Sequence, residues 1–332
     1  MNTVLVTGAS SFLGYHVAKR LNELGIRPRV LELADAKRDP LQRLNVVPCE
    51  GHLEDPQALA AACAGVDTLF HLAFRVSVGG GAKLLDEMRR VNVGGTERLL
   101  DVAASNGVAR VVVASSALAV GVNRRAEALN EMADWHEHAF ELPYAEMRRH
   151  TEQKSLERAR PGFAVVAVSP AFTLGPDDPV GAPANTLLRT LIRGKLRFTL
   201  TVGFGCLDVR DFAIGAVLAA ERGHSGKRYL ISGHNVTTKQ FLEEADAIAG
   251  VRPPRFEPPA AILKLAVGAV EVFSKIRGKP APATREVLDI IGRYAWYDTT
   301  RARTELGWEP RPLNETLEDT IRWLRAGAPA AV

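Results

Sequence analysis

Short apolar runs alternate with amphipathic segments along the first 170 residues. The runs are rich in Val, Ile and Leu, which is typical of strands buried on both faces of a parallel sheet. The segments between them repeat apolar residues every three or four positions, which predicts helices. The predicted strands cover residues 3–6, 29–33, 46–48, 68–72, 110–115 and 164–168, and the predicted helices cover 12–24, 56–64, 82–106 and 144–158. The pattern predicts an α/β fold built on a doubly wound parallel sheet.

The alternation loosens after Pro170. Glycine and proline crowd residues 175–183, which indicates loops, and residues 203–208 are also predicted to be irregular. One further strand and two further helices are predicted, at 228–232, 238–249 and 313–325. The second half therefore predicts a smaller, less regular part of the molecule.

Composition narrows the classes of partner. The formal net charge of +4 is small for 332 residues and the basic residues are scattered, so no nucleic-acid partner is predicted. The cysteines show no spacing typical of a metal site, and their odd number predicts reduced thiols and a cytoplasmic location. They are Cys49, Cys63 and Cys206.

No apolar run approaches the roughly 20 residues of a membrane span, so no contact with a membrane is predicted. Residues 258–273 come closest, but Lys264 and Glu271 interrupt them. We expect a helix there that packs on the protein surface, acts as a lid or forms the face of a homodimer. No basic segment precedes the first apolar run, so no signal peptide is predicted.

Small residues join the first predicted strand to the first helix. A tight turn at this place lets the N terminus of the helix approach a pyrophosphate, and glycines allow both the turn and the approach. Gly8 and Gly14 fit these needs, while Ser11 stands where a glycine is usual and is expected to turn its backbone N–H towards a phosphate. The turn predicts dinucleotide binding by Gly8, Ser10, Ser11, Phe12, Leu13 and Gly14.

The choice of dinucleotide stays open. Glu32 at the end of the second strand predicts a carboxylate on the ribose hydroxyls, which favours NAD. Lys37 and Arg38 in the next loop can neutralise a 2′-phosphate, or form an ordinary solvated charge pair. The predicted cofactor is therefore NADP or NAD.

The predicted dinucleotide-binding turn suggests a separate role for each half of the chain. We expect a Rossmann-like, NAD(P)-binding domain over residues 1–170 and a smaller, mainly substrate-binding part over 171–332. A segment at about 208–235 is expected to return to the first domain.

Five further motifs lie along the chain. They are DTLFHLA at 67–73, NVGGT at 92–96, SSALAVG at 115–121, SP at 169–170 and LGWEP at 306–310. With the glycine turn they resemble the extended short-chain dehydrogenase/reductase superfamily over nearly the whole chain. Within it the chain is similar to dihydroflavonol-reductase-like proteins and to the hopanoid-associated epimerase group.

The resemblance implies further cofactor contacts. Leu72 and Ala73 would line the cofactor cleft, and Asn92 would have a structural role. His52 departs from the family, which usually has Asp near the adenine; it contacts the adenine or is an ordinary surface histidine. The other implied contacts are Leu53, Ala114, Ser115, Tyr144, Arg148, Pro170, Ala171, Phe172 and Thr173.

The resemblance also implies a proton donor for carbonyl chemistry. Ser116 would orient the carbonyl and Tyr144 would protonate the developing alkoxide, but Arg148 stands where the family has lysine. The pKa of a free tyrosine is about 10. A cation one helical turn away lowers it. Three alternatives stay open: Arg148 takes the role of the lysine, it points away, or the site is inactive.

The substrate is expected at the carboxyl ends of the strands. The predicted contacts are Phe74, Arg75, Ala117, Leu118, Phe172, Leu174 and Leu207, with a glycine loop at 79–81 that is either mobile or closely approached by the ligand. Most of them are apolar, which suits a bulky aromatic or polyketide-like ketone. A sugar nucleotide would need cations, for which the candidates are Arg75, Arg193, Arg197 and Arg210.

The sequence thus predicts an NAD(P)H-dependent ketoreductase of secondary metabolism, such as antibiotic biosynthesis. Its small-molecule substrate can itself supply the proton if Arg148 does not serve Tyr144. Two alternatives stay open: a nucleotide-sugar epimerase or dehydratase, and a non-enzymatic regulator that binds NAD(P).

Overall fold

The fold is that of a computed structural model of the chain. It describes residues 1–34, 39–75, 81–138, 140, 142–252, 254, 256–259 and 290–327, with single positions at 262, 263, 265, 267, 268 and 270. Lys37, Arg38 and two of the three glycines of the 79–81 loop lie outside the described residues, as does half of segment 258–273.

Eleven strands are present in the described part of the chain. They are β1 Val4–Thr7, β2 Arg29–Glu32, β3 Val47–Glu50, β4 Thr68–His71, β5 Arg110–Ala114, β6 Ala164–Pro170, β7 Phe172–Leu174, β8 Gly203–Asp208, β9 Arg228–Ile231, β10 His234–Thr237 and β11 Tyr294–Ala295. Seven of them form one sheet in the order β3-β2-β1-β4-β5-β6-β9. All its neighbours are parallel, so the prediction of a doubly wound parallel sheet is confirmed.

Most helices of the described residues connect these strands, and the last one follows β11. They are α1 Phe12–Glu23, α2 Pro56–Cys63, α3 Gly81–Arg89, α4 Gly95–Ser105, α5 Trp135–His138, α6 Pro143–Leu156, α7 Pro183–Ile192, α8 Val209–Arg222, α9 Thr238–Ala249 and α10 Leu313–Arg325. No helix in the described part is long and apolar enough to cross a membrane.

Each face of the main sheet packs against its own core. Along β1, Val4 and Val6 join one cluster with residues of α1 and α8, while Leu5 joins the other with residues of α2 and α4. Successive side chains of a strand point to opposite faces, so a strand between two helical layers must be apolar at every position. This explains why the runs are continuous rather than alternating.

A second sheet contains β7, β8, β10 and β11. The prediction that 203–208 is irregular was wrong, because this segment is β8, antiparallel to β10 and parallel to β7. Its glycines allow close packing rather than a loop: a Cβ on Gly205 would lie 2.0 Å from Ser232 Oγ, and one on Gly203 would lie 2.4 Å from Tyr294 Cδ1.

The chain changes sheets at a defined place. It passes from β6 to β7 between Pro170 and Phe172, and later α8 and β9 return to the main sheet. The division into two domains stays a prediction.

The helix predicted over 82–106 is interrupted. A π-turn at Arg90–Gly94 separates α3 from α4, and it carries Asn92, which is fully buried. A π-turn inside a helix widens it by one residue and often occurs at functional positions. Here it places Asn92 beside the loop that follows β4.

Candidate functional site

The β1–α1 turn leaves no room for side chains at its two glycines. Gly8 has φ +74°, and a Cβ on it would lie 2.6 Å from the Ala73 backbone. A Cβ on Gly14 would lie 2.0 Å from the Gly8 carbonyl oxygen. The turn is therefore held against the end of β4 and can receive a dinucleotide backbone at close range.

Ser11 closes this turn with its hydroxyl group. The hydroxyl donates to the Gly8 carbonyl at 2.7 Å and accepts the Gly14 N–H at 3.1 Å. The expectation that the Ser11 N–H faces a phosphate was wrong, because this N–H also donates to Gly8, at 3.0 Å. The N–H groups left for an anion are those of the first helical residues, Phe12 and Leu13.

Ser10 and Glu32 meet beside the turn. The Ser10 N–H donates to Glu32 Oε1 at 2.9 Å, and the Ser10 hydroxyl donates to Oε2 at 2.6 Å. Both contacts fix the orientation of a carboxylate that is otherwise buried at the end of β2. An oriented carboxylate at this position can accept hydrogen bonds from ribose hydroxyls.

The two residues predicted near the adenine differ in burial. The side chain of His52 is 53% exposed, and its Nδ1 accepts the Glu54 N–H at 3.1 Å. Leu53 is buried against Gly95, where a Cβ would lie 2.8 Å from the Leu53 Cβ. Both follow β3, the strand next to β2, so they lie on the side of the sheet edge that Glu32 occupies.

A buried histidine links β1, β4 and the π-turn. The Thr96 hydroxyl donates to the Asn92 carbonyl at 2.5 Å, so its oxygen accepts from His71 Nε2 at 2.8 Å. His71 Nδ1 then accepts the Thr7 hydroxyl proton at 2.7 Å. Burial, and then the positive charge of Arg148, lower the pKa of His71 to about 3, so its ring is neutral.

Asn92 holds the loop after β4. Its Oδ1 accepts the Arg75 N–H at 2.7 Å, and its Nδ2 donates to the Arg75 carbonyl at 2.8 Å. The same Nδ2 lies 3.2 Å from the sulfur of Met147 on α6. A two-bond contact with one residue fixes the backbone on which Phe74 is carried.

Tyr144 and Arg148 lie on one face of α6. Arg148 Nε donates to the Tyr144 hydroxyl oxygen at 3.2 Å, and its Nη1 donates to the Ala114 carbonyl at 2.9 Å. Arg148 therefore does not point away from Tyr144, so that alternative is wrong. The guanidinium is buried, with 7% of the residue exposed, and makes no ion pair with a carboxylate in the described ranges.

Phe74 supports the guanidinium from one side. The Arg148 Cζ lies 3.4 Å from the centre of the Phe74 ring, and the Phe74 and Tyr144 rings meet edge to face at 6.0 Å. Phe74 was predicted to contact substrate; in the structure one face of its ring covers Arg148. Sequence reasoning missed this contact because no local pattern relates a loop residue to a distant helix.

Serine hydroxyls lie at the end of β5. Ser116 is buried and its Oγ accepts the Leu118 N–H at 3.3 Å. The hydroxyl of Ser115 is buried without a hydrogen-bond partner in the part of the chain that the structure covers. A buried hydroxyl without a partner is costly, so it suits a place where a ligand completes the hydrogen bonding.

The other predicted positions at the strand ends fall into two groups. The Ala171 N–H donates to the Ile231 carbonyl at 3.1 Å, and the Thr173 hydroxyl donates to the Ala171 carbonyl at 2.8 Å, so this segment after Pro170 is internally bonded. Leu118 and Phe172 are partly buried beside apolar clusters.

Three predicted substrate positions are enclosed. Ala117, Leu174 and Leu207 are at most 1% exposed and pack in apolar cores, so they present no open surface to a ligand in this structure. Leu174 and Leu207 come from segments for which the sequence predicted irregular structure, whereas these segments form β7 and β8, which pair with each other.

Two of the candidate cations for a diphosphate are already paired. Arg75 forms an ion pair with Glu87 at 2.6 Å, and Arg210 forms ion pairs with Asp208 and Asp319, each at 2.7 Å. Arg193 and Arg197 are exposed. A paired guanidinium has less to offer a diphosphate, because the carboxylate must first be displaced.

The residues fit a dinucleotide: a steric cradle at Gly8 and Gly14, helix N–H groups, and an oriented carboxylate at Glu32. Residues 4–232 match the model of the NAD dependent epimerase/dehydratase family. The chain belongs to this family. Its cofactor is a nicotinamide dinucleotide, and the resemblance to extended short-chain dehydrogenases is confirmed.

Several proteins of similar length align with nearly the whole chain. A protein of Synechocystis, provisionally named dihydroflavonol 4-reductase, is 27% identical over 324 residues, covering 96% of this chain and 94% of its own. The 4-hydroxy-2-methyl-3-oxo-4-farnesyl-3,4-dihydroquinoline-1-oxide ketoreductase of Stigmatella aurantiaca is 30% identical over 325 residues, covering 96% and 95%. The crystal structure of gox2253 superposes with a TM-score of 0.85 at 29% identity, covering 99% of both chains.

Proposed function

We propose that this family member is an NAD(P)H-dependent ketoreductase that reduces a bulky, largely apolar ketone. The observation that carries the proposal is the hydrogen bond from Arg148 Nε to the Tyr144 oxygen. It leaves the Tyr144 proton free to be donated, and it places a cation where the phenolate forms when that proton leaves.

In the proposed reaction the ketone gains a hydride at its carbon and a proton at its oxygen. A dinucleotide held by Gly8, Gly14 and Glu32 would supply the hydride for the carbonyl carbon. Tyr144 donates its proton to the carbonyl oxygen, Ser116 orients that oxygen through its hydroxyl, and Arg148 stabilises the resulting phenolate. Tyr144 then regains a proton from solvent, because a guanidinium does not release one near neutral pH.

Apolar side chains near Tyr144 and paired cations at the strand ends indicate the substrate class. Phe74 and Leu118 are apolar and partly exposed. Arg75 and Arg210 are already paired with carboxylates, so they favour an uncharged ketone over a nucleotide diphosphate. An aromatic or polyketide-like ketone of secondary metabolism, including antibiotic biosynthesis, fits these surroundings. The name of the Stigmatella relative, a ketoreductase, supports the same class.

We further propose that the enzyme prefers NADH. The two oxygens of Glu32 are oriented by Ser10 beside the turn, and a carboxylate there repels a 2′-phosphate.

The proposal is tested by adding aromatic and 3-oxoacyl ketones to the purified enzyme with NADH or NADPH and following absorbance at the nicotinamide band. Steady turnover with NADH on at least one ketone class, and loss of that turnover in Tyr144→Phe, is the expected result. Near-normal turnover in Tyr144→Phe would instead assign the proton to the substrate.

One alternative has an observation in its favour, because the matching family model includes epimerases and dehydratases. Such an enzyme would interconvert a UDP-sugar at a bound dinucleotide without net cofactor consumption. Conversion of a UDP-sugar, seen by chromatography in the absence of ketone turnover, would replace the ketoreductase proposal with this one.

A further inference from the structure

The guanidinium of Arg148 contacts three of the described residues, and its contacts with two of them are hydrogen bonds. They run to the Tyr144 oxygen and the Ala114 carbonyl. The third contact is the face of Phe74, whose ring centre lies 3.4 Å from Arg148 Cζ. No carboxylate of the described segments pairs with this buried cation, so the ring supplies electrostatic stabilisation that a carboxylate supplies elsewhere.

The contact also restricts rotation of the side chain. An arginine has a longer side chain than a lysine and ends in a planar fork, so it needs support on a face as well as at its N–H groups. The Phe74 ring covers that face. Without the ring, the fork would have room to leave the Tyr144 oxygen, since the Ala114 carbonyl holds only Nη1.

The position of Phe74 is set by its neighbours along the chain. Before it, the Ala73 N–H approaches the Thr7 hydroxyl at 3.4 Å. After it, the backbone of Arg75 makes two hydrogen bonds with the side chain of the fully buried Asn92. A residue fixed on both sides can present its ring at a constant distance from α6.

The Phe74 ring is linked to the phenol as well. Its edge contacts Tyr144, with ring centres 6.0 Å apart and planes at 86°. One aromatic side chain therefore contacts both members of the pair, the cation by its face and the phenol by its edge.

We propose that Phe74 is a positioning residue for Arg148, and that this ring lets an arginine occupy the place usually held by lysine. The inference rests on the proposed function, because the role of Tyr144 as proton donor comes from it. Phe74 acts through Arg148, and the Asn92 contact with Arg75 holds Phe74 in turn.

The chain offers a matched control one residue further along α6. Arg149 lies over the ring of Trp135 at 5.3 Å. This pair is also an arginine on an aromatic ring. Trp135→Leu therefore removes an equivalent contact without touching the Tyr144–Arg148 pair.

The first test observes Arg148 itself, independent of any substrate. In ¹⁵N-labelled full-length protein, the Arg148 Nε–H signal is assigned by its disappearance in Arg148→Lys. We expect it to be shifted upfield by the Phe74 ring and to exchange slowly. Phe74→Leu should remove the shift and speed the exchange, while Phe74→Tyr and Trp135→Leu should keep both. An unchanged signal in Phe74→Leu would overturn the proposal; Phe74→Met replaces that variant if it does not fold.

The second test is a double-mutant cycle with the ketone found for the enzyme. Phe74→Leu should lower kcat about tenfold when Arg148 is present, the size expected for one desolvated cation–π contact. In the Arg148→Met background it should change kcat less than about twofold, because there is no cation left to position. Equal losses in both backgrounds would contradict the proposal. If Tyr144→Phe keeps full activity, Tyr144 is not the proton donor and that part of the proposed function fails, and the NMR result still decides the role of Phe74.

Discussion

Arg148 and Glu152 lie one turn apart on α6, and both carry buried charges. They differ in whether a described residue of opposite charge pairs with them. At Arg148 the cation makes no ion pair with any described carboxylate and donates to the neutral oxygens of Tyr144 and Ala114. One turn later Glu152 is buried at 1% exposure, forms an ion pair with Arg228 and accepts the Ser169 hydroxyl at 3.0 Å.

The difference separates a structural ion pair, Glu152 with Arg228, from the Tyr144–Arg148 pair that we propose to be catalytic. Glu152 and Arg228 neutralise each other and attach α6 to β6 and β9. Their paired charges therefore have little electrostatic effect on other groups. Arg148 keeps its charge uncompensated, which costs stability but favours any negative charge that forms on its neighbour. The neighbour is Tyr144.

Removal of the phenol should give the largest effect. Tyr144→Phe deletes the group that receives the Arg148 charge, and general acid catalysis contributes about a thousandfold at such a position. We expect kcat to fall by about that factor while the melting temperature stays close to that of the wild type. The measurement is steady-state turnover together with a thermal unfolding curve.

A smaller loss of kcat would contradict the proposed catalytic role of the Tyr144–Arg148 pair. If Tyr144→Phe retains more than about a tenth of the rate, Arg148 has no phenolate to stabilise.

Acidification should destabilise the protein through its buried histidines. Burial lowers the pKa of His16 to about 4, and burial with Arg148 lowers that of His71 to about 3, from 6.5 in both cases. The unfolded chain binds these protons below pH 6.5 and the folded protein does not, so stability falls as pH drops from 6.5 towards 4. Between pH 7 and 5 we expect a loss of about 4 kcal/mol in the free energy of unfolding.

This pH dependence also reports the uncompensated charge. Arg148→Met removes the repulsion that His71 feels, so the folded-state pKa of His71 should rise from about 3 and the further loss between pH 5 and 3 should become smaller, whereas Arg149→Met should not change it. Urea unfolding at both pH values measures the difference. Identical losses in wild type and Arg148→Met would show that the charge does not reach His71.

Loss of the structural carboxylate should act on stability rather than on chemistry. Glu152→Gln leaves Arg228 partly buried without its counter-charge, and breaking such a pair costs about 3 kcal/mol. Urea unfolding should show this loss, with little change in kcat for the folded fraction. A stability loss below about 0.5 kcal/mol, or a hundredfold fall in kcat, would mean that the Glu152–Arg228 pair does not have a structural role.

The smallest expected effect lies at the other end of the cofactor. Ser10→Ala removes the hydroxyl that donates to Glu32 Oε2, a single hydrogen bond worth about 1 kcal/mol. We expect the KM for NADH to rise about fivefold with kcat unchanged. An unchanged KM would show that the Glu32 carboxylate needs no orientation by Ser10.

The main sheet could be predicted because β1 to β6 are short apolar runs separated by amphipathic helices. β8 could not, because its glycines at 203 and 205 read as loop residues until their close neighbours Tyr294 and Ser232 are known. Such contacts come from distant parts of the chain.

The site divides in the same way. The glycine turn, Ser116, Tyr144 and Arg148 follow from local motifs. The roles of Phe74, Thr7 and Thr96 do not, because each depends on a partner that tertiary packing brings close. Whether Arg148 points towards Tyr144 was also open in the sequence, since a side chain at that spacing can rotate either way.

The central claim is that Arg148 serves Tyr144 as the lysine does in related enzymes. Its most direct test is a comparison of kcat/KM at pH 7 for wild type, Arg148→Lys and Arg148→Met. We predict that Arg148→Met lowers kcat/KM about a hundredfold, while Arg148→Lys keeps most of it. An Arg148→Met enzyme with the wild-type kcat/KM would contradict the claim.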